Sequence, residues 1–268
     1  MKKILCPTDF SPVGENAVTY AAEIAKTIGA SLHLIHANLL SELTPEEVLV
    51  GTGMSNAHLE DMLNKECLEV SNTYKISCNP EPVTSARWLA KNIANTAKDF
   101  DLVVMGTNGE DDFFQRICGS MTYRVIKRTG IPVIVVPEQC AYSKINHIAY
   151  AFDYWRIVTV PMEKVVELSQ ALKCGVTLVQ VMEAYSPDAE RELRATEEVL
   201  KDKYGDIVNL SFKTLYDANV VDALRKFMLK GDYNALALCF RDGIGAHLHT
   251  RVIREMTSDM WYPLIAFH

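Results

Sequence analysis

Two rhythms of apolar residues alternate along this chain: short unbroken runs, and longer stretches in which apolar positions recur every three or four residues. The first rhythm predicts buried strands and the second amphipathic helices. Lys3–Cys6 is a short apolar run ending in Pro-Thr-Asp, and Ser11 followed by Pro12 supplies a helix N-cap and a first helical residue. Ala17, Ala21, Ile24 and Ile28 then make one buried helical face, and Gly29 stands where a left-handed C-terminal cap is wanted. Leu32–Ala37 predicts a second strand, residues 41–74 read as polar and helical, Lys75–Cys78 as a short third strand, and Ala86–Lys98 as a further amphipathic helix. Asp101–Gly106 predicts a fourth strand, and its continuous branched residues suit a parallel sheet covered by helices on both faces. Ser120–Arg128 predicts the last helix of this set, and Ile131–Val136 a fifth strand.

The order then begins again. His147–Tyr154 reads as a strand, a helix follows as far as Cys174, Gly175 closes it, and Thr177–Met182 reads as the next strand. Asp9 matches Asp153 at an offset of 144, Gly29 matches Gly175 at 146, and Ile131–Val136 matches Tyr262–Phe267 at 131. Loops absorb such slippage. The expected architecture is therefore α/β, with two tandem copies of an open, five-stranded parallel sheet, residues 1–140 and 141–268, each Rossmann-like.

Composition adds exclusions. Lys and Arg number 12 against 17 Asp and Glu over residues 1–140, and 15 against 17 over 141–268, so neither half is a basic grip for nucleic acid. The apolar run after Lys2 and Lys3 stops at Pro7, and no stretch approaches a membrane span, which reads as a cytoplasmic chain. Seven scattered cysteines without a CxxC pair read as free, mostly buried thiols; Cys118 lies beside the glycine singled out below.

The chemistry concentrates between Gly106 and Pro137, where Gly106, Gly109, Gly119 and Ser120 follow the spacing GxxG, nine residues, then Gly-Ser. Glycines at a strand's end let backbone N–H groups approach a phosphate, and Gly119-Ser120 opens a helix whose free amides and hydroxyl converge on an anion. Asp9 also follows directly on a strand's carboxyl end, where open α/β sheets hold ligands. Alone it reads equally as a turn residue bonded to its own backbone; jointly with the glycines it is a carboxylate facing a phosphate cradle.

The segments Lys3–Pro12, Leu32–Ala37, Asp101–Gly109 and Gly119–Val136 together resemble the universal stress protein family, with the glycine spacing of its ATP-binding branch. That resemblance implies an adenine nucleotide alpha hydrolase-like fold binding ATP or AMP at the sheet's carboxyl edge. By position it assigns Pro7, Asp9 and the backbone at Ala37 to base and ribose, and Gly106, Gly109, Gly119 and Ser120 to ribose and phosphates. Ala37 replaces the usual Val or Ile. Glu110, Asp111 and Asp112 would repel a triphosphate unless they held Mg²⁺, and they read otherwise as a solvated acidic loop.

The second half loses the spacing: Thr250 and Arg251 stand where Gly119 and Ser120 were, so no ATP is expected there. Gly243 and Gly245 begin a GxGxxG that Leu248 leaves unfinished, and His247 and His249 read as surface residues. His33 and His36 alternate along one strand and read as satisfied core or edge residues, and no nucleophile, base and orienting acid stand out together.

The function expected is a nucleotide-dependent stress-response module with no catalytic residues. Its fifth strands would pair inside one chain, and a homodimer is left open as a further assembly. The alternatives are a scaffold of the same fold without nucleotide, and a slow ATPase.

Overall fold

The computed structural model describes residues 1–36, 56–81, 89–107, 119–152, 161–239 and 261–267. In chain order these form β1 (Lys3–Thr8), α1 (Pro12–Ile28), β2 (Ser31–His36), α2 (Asn56–Tyr74), β3 (Cys78–Pro80), α3 (Leu89–Thr96, continued by a 3-10 turn at Ala97–Asp99), β4 (Leu102–Thr107), α4 (Gly119–Ile126) and β5 (Val133–Pro137). There follow β6 (His147–Ala151), α5 (Met162–Leu172), β7 (Gly175–Met182), α6 (Pro187–Tyr204), β8 (Leu210–Tyr216), α7 (Val220–Lys230), β9 (Ala235–Cys239) and β10 (Leu264–Phe267).

The ten strands make one sheet in the order β3-β2-β1-β4-β5-β10-β9-β6-β7-β8. Followed inward from either edge, the two halves have the same strand order. Every pairing is parallel except the central one, where β10 runs against β5 with Ile265 opposite Ile134. One face packs under α1, α2, α5 and α6, and the other under α3, α4 and α7. Coverage on both faces explains the unbroken apolar runs: Ile4, Leu5 and Cys6 of β1 and Leu102, Val103 and Val104 of β4 are wholly buried.

The caps of α1 follow the sequence signals. Ser11 is extended and its side chain accepts from Gly14 N–H, Pro12 is the first helical residue, and Gly29 closes the helix at φ 70. In the second half the left-handed cap is Lys173, at φ 55, which is in step with Gly29 by the same interval that separates Asp9 from Asp153. Gly175 is not the cap; it begins β7, where a Cβ would come within 3.0 Å of the His147 ring. The third strand also starts later than its apolar run suggests. Lys75 takes φ 59 and turns the chain out of α2, so Ile76 reaches the core from a turn and pairing begins at Cys78.

The segment joining the halves is held by α1: Asn16 Nδ2 donates to the carbonyls of Pro137 and Cys140 at 3.2 and 3.1 Å, and Tyr20 Oη to that of Ser143 at 3.3 Å. The described cysteines are free thiols, and burial pushes Cys140 and Cys174 up to about 11, which keeps them protonated at neutral pH. Cys118 lies outside the described residues. Among those residues no helix is long and apolar enough to cross a membrane.

Candidate functional site

The strand order reverses direction between β1 and β4, which makes their carboxyl ends the topological switch point of the first half. Their paired register stops at Leu5–Val103, although the strands run on to Thr8 and Thr107. Pro7 lies in this last stretch of β1, beside Ile35 of β2, where its missing N–H removes no rung toward β4. The first turn of α1 packs into the gap. A Cβ on Gly106 would stand 2.8 Å from the Val13 carbonyl oxygen, and one on Gly14 would stand 2.7 Å from Asp9 Oδ1. Both glycines are therefore required by close packing of the helix start against the two strand ends.

Asp9 holds this corner together. Its Oδ1 accepts from Ser11 N–H at 3.0 Å and from Ser11 Oγ at 2.5 Å, while Ser11 Oγ accepts from Gly14 N–H at 3.1 Å. The turn reading of Asp9 is thus realised, through one carboxylate oxygen. Pro12 lacks an N–H and the Ser11 hydroxyl takes that of Gly14, so the start of α1 is largely self-satisfied, and Glu15 adds negative charge there.

Around this corner lies a set of buried polar groups. Thr8, His36 and Thr107 are 1%, 5% and 5% exposed, and among the described residues neither ring nitrogen of His36 nor Thr107 Oγ1 has a hydrogen-bond partner. Such groups are rare in native interiors, because each unpaired one costs on the order of 1–3 kcal/mol. Burial lowers the His36 pKa, and the nearby Thr8 backbone and Asp9 carboxylate oppose that shift. Phe10, at φ 60, stacks on the His36 ring with centroids 4.8 Å apart, and its N–H donates to Thr8 Oγ1 at 3.2 Å.

Glu66 of α2 completes the cluster. Burial first, then the charges of Glu15, Glu69 and Asp9, push its carboxyl up to about 7 against the pull of a Thr8 hydrogen bond, and Oε2 has no partner. The corner therefore offers an imidazole, the Thr8 hydroxyl and a carboxyl near its titration point, donors and acceptors suited to a heterocycle edge or a sugar, while Thr107 alternates with Gly106 and belongs to the other face of the sheet. Among the described residues no cluster of His, Cys, Asp and Glu has metal-binding geometry.

Of the residues singled out in the sequence, Pro7, Asp9 and Gly106 come together at the switch point, and Gly119 and Ser120 begin α4. Ala37 and Gly109 lie outside the described residues. So do Glu110, Asp111 and Asp112, Asp153, and the second-half positions Gly243, Gly245, His247, Leu248, His249, Thr250 and Arg251. The reading of His33 and His36 as a like pair is corrected: His33 is bonded to Ser31 and Glu81, while His36 is buried without a partner. Gly14, Glu66 and Thr107 were not anticipated. Gly14 had a signal, a glycine inside a first helical turn; Glu66 and Thr107 had none, since their significance comes from what the fold sets beside them.

The universal stress protein family model matches residues 1–137. This chain belongs to that family. It is 31% identical over 144 residues to one universal stress protein of Methanocaldococcus jannaschii, covering 51% of this chain and 82% of that protein. It is 28% identical over 156 residues to a second from the same organism, covering 52% and 96%. Over nearly the whole chain the fold is similar to that of a universal stress protein from Archaeoglobus fulgidus, at a TM-score of 0.68 and 13% identity, covering 99% of this chain and 95% of that one.

Proposed function

We propose that this protein is a tandem, two-domain universal stress protein, divided at residues 1–140 and 141–268, whose first domain binds ATP or AMP and whose second domain is its built-in partner. The observation that carries the nucleotide reading is the pair of unsatisfied buried groups, His36 and Thr107, at the carboxyl ends of β2 and β4 on either side of Asp9. Polar atoms left bare at a switch point are matched by a ligand that brings its own donors and acceptors.

The polarity of the site supports an orientation. The start of α1 is capped by its own residues and carries Glu15, so base and ribose belong at Pro7, Asp9 and Ala37. The phosphates belong at the head of α4, where Gly119 and Ser120 offer amides and the positive end of a helix, and the family resemblance adds Gly106 and Gly109 to the ribose and phosphate contacts. Bound ATP would supply a concentration-dependent charge and contact surface, and the residues here bind and orient it. Mg²⁺ would serve to offset Glu110, Asp111 and Asp112. The sequence names no base for hydrolysis, and the output proposed is conformational and the place of action cytoplasmic. The antiparallel contact of β5 with β10 supports the second domain as an internal counterpart to the first.

A scaffold of the same fold without nucleotide is favoured by one observation: Asp9, Gly14 and Gly106 each have a packing or turn role needing no ligand. Heat-denaturing the purified protein and chromatographing what is released separates the readings. Released ATP or AMP, or a thermal shift on adding ATP with Mg²⁺, supports binding; neither result leaves the scaffold.

A further inference from the structure

At the opposite, amino end of β2 the structure assembles a hydroxyl, an imidazole and a carboxylate in a line. Ser31 Oγ lies 3.1 Å from His33 Nε2, and His33 Nδ1 lies 2.8 Å from Glu81 Oε1. Residues two apart on a strand share a face, which brings Ser31 beside His33. Glu81 follows the edge strand β3, and its N–H donates to the Leu34 carbonyl at 2.7 Å, fixing its backbone against β2. Phe100 meets the imidazole edge-on at 5.0 Å and supports the ring. The His33 and Glu81 side chains are 14% and 23% exposed, so the group is sheltered yet reachable. Five strand steps, roughly 16 Å, separate Ser31 from the nucleotide-side residue His36.

We infer that Ser31, His33 and Glu81 form a nucleophile–base–acid triad that makes Ser31 reactive toward activated acyl esters and thioesters. With the Glu81 carboxylate accepting from Nδ1–H, Nε2 presents its lone pair to the Ser31 hydroxyl. A competing Ser31 hydrogen bond to the Lys2 carbonyl is longer, at 3.4 Å. Ser31 Oγ attacks the acyl carbon as its proton passes to His33 Nε2. The tetrahedral centre then expels the alcohol or thiol, which leaves with that proton. Water next gives a proton to Nε2 and attacks the acyl-serine, and Ser31 departs with the proton returned. Glu81 is a positioning residue, holding tautomer and ring. General-base assistance contributes about 10²–10⁴-fold, which restricts the chemistry to acyl groups with good leaving groups.

The test treats the full chain with a fluorophosphonate and, separately, with p-nitrophenyl acetate, followed by intact and peptide mass spectrometry. The expected result is one adduct per chain on the Ser31 peptide, absent in Ser31→Ala, with ester turnover lowered about a hundredfold or more in His33→Ala. Added imidazole should restore part of the His33→Ala rate, which a merely structural histidine would not allow. Glu81→Gln should slow labelling about tenfold or more with an unchanged melting temperature. No adduct, an adduct on another residue, or labelling of Glu81→Gln at the wild-type rate would overturn the assignment, even if His33→Ala fails to fold.

Discussion

Replacing Glu66 by glutamine removes the carboxyl that α2 presses against the switch-point corner. In the folded protein its pKa is raised from 4.5 to about 7, chiefly by burial and next by Glu15, Glu69 and Asp9. The folded state therefore holds this proton more tightly than the unfolded chain, and its contribution to stability is fully present below 4.5 and lost as pH rises through 7. Two and a half pK units at about 1.36 kcal/mol each give roughly 3 kcal/mol across that window, an upper figure because Glu66 is only partly buried. The amide of the Glu66→Gln variant would keep the neutral shape and can still pair with Thr8, but it does not titrate. Urea unfolding at half-unit steps from pH 4.5 to 8 should show nearly equal stabilities at the acid end. The variant should pull ahead as pH rises, by up to roughly 3 kcal/mol at pH 8. The lowered pKa of His36 acts with the opposite sign, adding stability as pH rises, but it is common to both proteins and drops out of the difference to first order. Parallel pH curves for the two proteins would refute the desolvated Glu66 and, with it, the buried character of this corner.

Three further outcomes follow from the packing. Gly106→Ala forces a Cβ to 2.8 Å from the Val13 carbonyl oxygen and should destabilise the protein by about 1–3 kcal/mol, measured by chemical denaturation. Lys173→Gly relieves the left-handed cap of α5 at φ 55 and should raise stability by about 0.5–1 kcal/mol, seen as a higher melting temperature. Gly119→Asp sets a carboxylate at the head of α4 and should weaken ATP binding about tenfold or more by calorimetry without lowering the melting temperature of the ligand-free protein.

Local signals carried much of this fold. The Ser11-Pro12 start and the Gly29 stop of α1 are set by neighbouring atoms, and both appear as the sequence predicts. The buried runs of β1, β4 and β5 were legible because strands covered on both faces admit little else. Where a residue type is permissive, the reading slipped. A lysine closes α5 in place of the glycine two positions on, and another lysine, Lys75, turns the chain ahead of β3. At the candidate site, the sequence put Asp9 and Gly106 near strand ends and the family resemblance added Pro7, and all three lie at the switch point; the packing role of Gly106 was not legible, because it faces Val13, a contact that exists only after α1 folds back on β4. His36 and Glu66 illustrate the same limit. The alternation in Ser31–His36 says which residues share a face, but it does not say that His33 finds partners and His36 none.

The most direct test of the central claim is the number of nucleotides each chain holds. Equilibrium dialysis of the 268-residue chain, stripped of bound nucleotide and titrated with labelled ATP and Mg²⁺, should saturate at one ATP per chain, with occupancy lost in Gly119→Asp and retained in Thr250→Ala. Saturation at two, or no binding at all, would contradict a single nucleotide site in the first domain.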